Sequence, residues 1–310
     1  MSITPEPARV ELAIEEHRAH LIGVGYRMTG SLADAEDAIQ EAWFRLNRLS
    51  DDERATIRDA KAWLTTVVGR LCLDRLRSAA VRKESYIGPW LPEPLVSSPE
   101  EDDPLSVLVR DEDVRMAAMV VLDRLTPPQR VAFVLHDALG LPFDQIADVL
   151  DCSPAAARQH ATRARRIVST AQPPPRATDL EQQRLLGALA DALGRGDTRT
   201  LVSLLHPDVM FFNDSGGMAP AARRVVVGGE KVARLLFGLA KQYEGALFET
   251  VAPVLVNGEL GYRSGGLRGS PEAVTAMSIR NGQVVAFYAM LNPAKLARAT
   301  PRILRKARTS

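Results

Sequence analysis

Apolar residues in the first eighty positions recur every three or four places, with polar and charged residues filling the gaps. The clearest stripe is Ala35, Ala38, Ile39, Ala42, Trp43, Leu46 and Leu49, and a second runs through Ala60, Trp63, Leu64, Val67, Val68, Leu71 and Leu76. This spacing turns one face of a helix toward a core, so residues 9–81 read as a small helical bundle with both tryptophans on its apolar side. Ser31, followed three residues later by Asp34, predicts a capping box at the start of the first stripe.

The helical period breaks over residues 84–110, where Pro89, Pro92, Pro94, Pro99 and Pro104 and the acidic run 100–103 predict a linker, placed at 82–110. It returns over residues 111–170, with interruptions at 126–128 and 140–142. Pro173, Pro174 and Pro175 form a stiff spacer. Beyond them the pattern predicts one or two helices over 180–205, then alternating stretches at 251–256, 274–280 and 283–291. Asn257-Gly258 and Asn281-Gly282 are hairpin signals, because a type I′ turn needs positive φ at both central residues. Residues 178–292 therefore read as an α+β domain with an antiparallel sheet, followed by a basic tail at 293–310.

The most interpretable chemistry lies between Leu141 and Ile167. Phe143, Ile146, Ala147 and Leu150 make a short helix, Asp151 and Cys152 a turn, and Ser153-Pro154 a new helix start, with Ser as N-cap and Pro where no intrahelical amide is needed. The second helix opens on Ala155, Ala156 and Ala157 and then presents Arg158, Gln159, His160, Arg163, Arg165 and Arg166. Small residues allow close approach to DNA, Arg and Gln can pair bidentately with G and A, and later arginines can hold phosphates. This is a helix-turn-helix with a DNA-reading second helix.

Charge refines the picture. The formal net charge is +1, but residues 1–170 carry −6 and the remainder +7. A uniformly basic coat is absent, so DNA contacts must come from local clusters. Cys72 and Cys152 form no metal-ligand or CxxC pattern, no metal or cofactor is expected, and no apolar run approaches the roughly 18 residues of a membrane span. A cytoplasmic location is the expectation.

The motifs resemble a known family. The stretch from Leu125 to Arg130, LTPPQR, with FDQIADVL at 143–150 and SPAAARQ at 153–159, closely resembles domain 4 of extracytoplasmic-function sigma factors. DAEDAIQEAW at 34–43 resembles the domain 2 helix that docks on core RNA polymerase, and AWLTTVV at 62–68 with DRLR at 74–77 resembles the following helix. Where many family members have Asn, this chain has Arg70. The resemblance implies core RNA polymerase and promoter DNA as partners. It assigns the minus-thirty-five element to Ser153, Ala155, Arg158, Gln159, His160, Arg163, Arg165 and Arg166, and the minus-ten region to Arg70, Arg75 and Arg77. Polymerase docking falls to Asp34, Asp37, Gln40 and Glu41.

Three further motifs, WLPEP at 90–94, NDSGG at 213–217 and NPAKL at 292–296, resemble those of a subgroup that fuses the sigma factor to a SnoaL-like domain of the NTF2-like cone fold. The subgroup usually has an acidic residue at the position of Ala294 and a longer glycine run. The implied architecture is multidomain, with all-α sigma domains 2 and 4 at 9–81 and 111–170 and the cone at 178–292. The resemblance implies contact of regulatory consequence among Trp90, Leu91, Pro92, Glu93, Pro94, Asp214, Gly216, Gly217, Asn292, Pro293, Lys295 and Leu296. A small-molecule ligand of the cone is a further expected partner. His206, Asp208 and Asp214 invite comparison with cone-fold enzymes, but a fold does not license an activity, and the chain reads as a non-enzyme. The rival reading is a ligand-sensing helix-turn-helix regulator that is not a polymerase subunit.

Overall fold

A computed structural model describes residues 6–97, 114–243, 250–267 and 269–299. The acidic run 100–103 and the tail beyond 299 lie outside the described residues. The chain divides into two compact units, Met1–Glu84 with Met119–Gln172, and Ser85–Ala118 with Pro173–Ser310.

The first unit is helical: α1 (Glu6–Thr29), α2 (Leu32–Arg48), the short α3 (Asp51–Ala55) and α4 (Ala60–Glu84) precede the break. On α2 the expected stripe is the buried one, with Ala35, Ala38, Ile39, Ala42 and Leu46 inside, whereas Trp43 and Trp63 are only half-buried. Ser31 caps α2 by accepting from the Asp34 amide at 3.2 Å, and its own amide donates to Thr29 Oγ1. Gly25 lets α1 and α2 touch, since a Cβ there would stand 2.6 Å from that of Ala35.

The unit continues with α5 (Met116–Leu122), within which the division between units falls, then α6 (Pro127–Phe133) running into a π-helical turn at Val134–Ala138, α7 (Phe143–Leu150) and α8 (Pro154–Ala171). Packing of α4 against α7 is close at Gly69, where a Cβ would lie 3.5 Å from Val149. Arg130, 2 % exposed, donates from Nε to the Arg27 carbonyl at 2.9 Å and from Nη1 to Asp123 at 3.1 Å. Burial holds its pKa below the usual arginine value, opposed by Asp123. The arginine that closes the LTPPQR motif is thus an internal tie.

In the second unit, α9 (Asp179–Arg195), α10 (Thr198–Ser203) and α11 (Gly229–Gln242) pack on a seven-stranded sheet. Its strands are β1 (Val96–Ser97), β2 (Leu205–Asp214), β3 (Val226–Val227), β4 (Ala252–Val256), β5 (Glu259–Ser264), β6 (Ala273–Arg280) and β7 (Gln283–Met290), in the order β1-β4-β5-β6-β7-β2-β3. A last helix, α12, spans Pro293–Ala299. Both expected I′ turns are present, with φ of 53° and 79° at Asn257 and Gly258 and 52° and 73° at Asn281 and Gly282. The sheet is antiparallel except that β2 runs parallel to β7. Period-two reading of isolated strands carries no information about that long-range pairing.

One expectation changes in kind. The proline-rich stretch read as a linker joins this second unit, and its Val96 and Ser97 pair with Val256 and Leu255 at the sheet edge. Leu91 and Leu95 are 0 % and 2 % exposed. Prolines on either side of Glu93 remove donors that burial would leave unmatched. The remaining Leu91 and Leu95 amides each reach a side-chain oxygen, of Asp214 at 2.8 Å and of Asn257 at 3.0 Å.

Candidate nucleic-acid interface and a buried anchor in the cone

The helix-turn-helix forms at the expected residues. Asp151 ends α7 in the left-handed conformation, φ 52°, and Ser153 caps α8 by accepting from the Ala156 amide at 3.2 Å. Along α8, Ala157, Ala161 and Ala164 are buried, and Arg158, Gln159, Arg163, Arg165 and Arg166 are exposed together with Ser153 and Ala155. The small buried residues bring the helix close to its support while the long basic ones stand in solvent. Arg158 lies over the Phe143 ring at 5.0 Å, and Arg165 pairs with Asp137 at 2.6 Å. His160 is half-buried, and desolvation with Arg163 nearby lowers its pKa, which keeps the ring neutral.

The other candidates are placed less uniformly. Arg70 donates to the Asp148 carbonyl near the end of α7, at 3.2 Å from Nε and 2.9 Å from Nη2. Arg75 stands 4.0 Å from Asp34 and Arg77 3.6 Å from Asp74. Asp37 and Gln40 are exposed on α2; Asp34 and Glu41 are half-buried, the latter 3.3 Å from Arg45. Cys72 is buried, its thiol pushed up to about 12 by desolvation.

In the cone, residues from three separated motifs converge on Asp214, whose side chain is 0 % exposed. One oxygen accepts from the Tyr86 hydroxyl; the other accepts from the Leu91 amide and from Lys295 Nζ at 2.7 Å. Lys295 also donates to the Leu91 carbonyl at 2.5 Å and lies 3.5 Å from the centre of the Trp90 ring, a cation–π geometry. Tyr86 packs edge-on to Trp90 at 4.7 Å and accepts from Asn292 Nδ2 at 2.9 Å. Asn292 accepts from the Ala294 amide at 3.0 Å and Pro293 opens α12, so the Asn-Pro pair starts a helix that delivers Lys295 within its first turn. Gly216, at φ 58°, has no room for a side chain: a Cβ would stand 2.7 Å from Asn292 Nδ2. Gly217 packs on Ile87, while Pro92, Glu93, Pro94 and Leu296 are buried around the anchor's segments.

Sequence reading missed Tyr86 and a second anchor. Asn257, fully buried, accepts from Leu95 and donates to the Val114 carbonyl at 2.6 Å; beside it Arg115 pairs with Glu259 at 3.3 Å, both buried. Asn257 was visible only as a turn residue. No local signal distinguishes an I′ asparagine that also binds two distant backbone groups.

Residues 13–82 match the family model Sigma-70 region 2, and residues 115–168 match Sigma-70, region 4. The chain is 50% identical over 289 residues to the ECF RNA polymerase sigma factor SigJ of Mycobacterium tuberculosis, covering 91% of each protein. The chain belongs to the extracytoplasmic-function sigma factors. As a sigma factor it binds core RNA polymerase and directs promoter-specific initiation, and a regulator acting outside polymerase is not favoured. The likeness extends to a second M. tuberculosis protein described as a probable sigma factor, SigI, at 32% identity over 93% of this chain and 94% of that one. The crystal structure of M. tuberculosis SigJ superposes on this sigma factor with a TM-score of 0.77 and 45% identity, over 96% of this chain and 99% of that one. Among the described residues no helix is long and apolar enough to cross a membrane, and no group of three acidic, His or Cys side chains is arranged to hold a metal.

Proposed function

We propose that this sigma factor reads the minus-thirty-five element with α8, docks on polymerase with the acidic face of α2, approaches the minus-ten region with the arginines of α4, and is modulated in cis by the cone. The observation that carries the DNA assignment is the division of α8 into a buried alanine edge and an exposed face of Arg158, Gln159, Arg163 and Arg166. Asp34, Asp37, Gln40 and Glu41 form the polar side of a helix whose opposite side is core, which supports docking rather than a purely internal role. Arg75 and Arg77 remain candidates for promoter phosphates. Arg70 would have to leave the Asp148 carbonyl to join them.

Cis modulation is supported by the anchoring of Trp90 and Leu91 to Asp214 and Lys295, which couples the segment between the two sigma regions to the cone. The cone is read as regulatory and as the holder of a small-molecule ligand, rather than as an enzyme. Asp214 is engaged by a lysine, a phenol and an amide, while His206 and Asp208 sit at the start of β2 with the His206 ring accepting from the Asp208 amide. The test is transcription by core polymerase supplied with the full chain, a chain ending after Leu296, a chain ending after residue 170, and Trp90→Ala. Shortening after Leu296 and Trp90→Ala are expected to raise promoter-specific transcripts, and loss of the whole cone to lower them. Equal transcription by all four would remove the cone from control, and no transcription by any would remove the sigma assignment to these surfaces.

A further inference from the structure

Phe143 belongs to the apolar pattern of α7 but is not absorbed into the core as its neighbours are. Ile146, Ala147 and Leu150 are buried, whereas Phe143, the first residue of the helix, is half-buried. Its ring is held from the preceding π-helical turn, where His136 stacks on it with centroids 4.0 Å and planes 30° apart. His136 is itself fixed. Its Nδ1 lies 2.9 Å from the Leu141 carbonyl, which can only accept, so Nδ1 carries the proton and donates. The Leu141 amide on the Leu135 carbonyl and the Gly140 amide on the His136 carbonyl, both at 2.9 Å, close the same connection. The Arg158 guanidinium lies over this supported ring, 5.0 Å from its centre and inside the range of a cation–π contact.

The next residue of the π-helical turn, Asp137, holds a second arginine of α8, Arg165, at 2.6 Å. Arg163 and Arg166 are exposed, and neither guanidinium is held by an ion pair or a ring among the described residues. The difference matters for what each can do. A phosphate contact tolerates a mobile cation, whereas bidentate pairing with a base edge needs the planar fork in one orientation, and ordering that fork on binding would cost affinity. We propose that Phe143 is a positioning residue for sequence readout: its ring, supported by His136, sets the Arg158 guanidinium in the orientation that pairs with a base edge. Promoter discrimination then depends on a residue of α7 that acts through Arg158. The inference rests on reading α8 as the minus-thirty-five reader and adds the support on which that readout depends.

The test uses holoenzyme assembled from core polymerase and the full chain, and reads the ratio of its affinities for a promoter and for the same DNA with a scrambled upstream element. Arg158→Ala should lower that ratio at least about fivefold, through loss of a base contact. Phe143→Leu, which keeps an apolar side chain but removes the ring face, should lower it about two- to fivefold. Affinity for the scrambled DNA and its salt dependence should not change, because every cation is retained. Phe143→Tyr should keep the parent ratio, and in an Arg158→Ala background Phe143→Leu should lower it no further. Circular dichroism checks that each variant is folded; should Phe143→Leu fail that check, His136→Leu removes the support of the ring instead and should lower the ratio in the same direction. An unchanged ratio in the folded Leu variant, or an equal further loss in the Arg158→Ala background, would overturn the positioning role while leaving α8 as the reader. A ratio that Arg158→Ala itself leaves unchanged would overturn readout by Arg158, and the positioning role with it.

Discussion

The face of α8 and the Asp214 anchor both concentrate charge, but they do so under opposite conditions. On α8 the arginines stand in water, where an ion pair such as Arg165 with Asp137 contributes little to stability and the charge remains available for a partner. At Asp214 the charge is sealed, and it is tolerated because Lys295, Tyr86 and Leu91 satisfy it together. Exposed charge is free to act on another molecule; buried charge acts on its own chain by specifying which segments must meet. The most severe way to break the comparison is Asp214→Ala. Removing one partner of a buried pair costs about 3–5 kcal/mol, and here it also leaves the Leu91 amide unmatched. Denaturant unfolding should show that loss, with Lys295→Met in the same chain recovering part of it. A loss below about 1 kcal/mol would mean that the anchor is energetically no different from a surface pair.

This contrast explains what the sequence made readable. Helix α8 and its turn are local: Ser153, Pro154, the alanine edge and the arginines occupy fourteen consecutive positions, and each has a rule that works at short range. The I′ hairpins were readable for the same reason. The anchor draws on residues 86–91, 214 and 292–295, and only family resemblance had brought WLPEP, NDSGG and NPAKL together. Tyr86 lay outside those motifs, and Asn257 was hidden behind its turn. The same limit applies to the parallel β2–β7 pair, whose register is set by packing across more than seventy residues.

The second prediction reverses charge on the exposed side. Asp34→Arg with Glu41→Arg should weaken association with core polymerase by about 3 kcal/mol if both acids face the partner, since like charges brought together at an interface cost several kcal/mol. Asp34 lies near Arg75 and Glu41 near Arg45, so thermal unfolding of the free protein must be measured beside competition for polymerase. A folded double variant that competes normally would mark this face as solvated only.

On α8 itself, Arg158→Ala and Gln159→Ala should each weaken binding to promoter DNA by about 1–3 kcal/mol relative to a scrambled upstream element, with polymerase binding unchanged. Arg163→Ala, further along the helix, should weaken both sequences alike and reduce the salt dependence. Equal losses on promoter and scrambled DNA for all three would leave α8 a phosphate-binding surface without sequence readout.

The smallest expected effect comes from a group between the two extremes. His20, half-buried on α1, hydrogen-bonds through Nε2 to Thr65 at 3.0 Å, and Thr65 donates its own proton to the Lys61 carbonyl, so the ring presents Nε2–H to Thr65. Burial is the largest cause that lowers its pKa from 6.5 to about 4, followed by Lys61, His17 and Arg27. The folded state therefore resists a proton that the unfolded chain accepts readily. Stability is unaffected by this group above pH 6.5, declines as pH falls from 6.5 toward 4, and levels off below, where both states are protonated. Partial exposure reduces the size of the loss to about 1–2 kcal/mol. His20→Gln, which retains a donor to Thr65 and cannot titrate, should flatten that part of the stability profile. An unchanged slope between pH 6.5 and 4 in the variant would place the acid sensitivity elsewhere, and would show that a neutral buried side chain here is as indifferent to pH as the exposed arginines of α8.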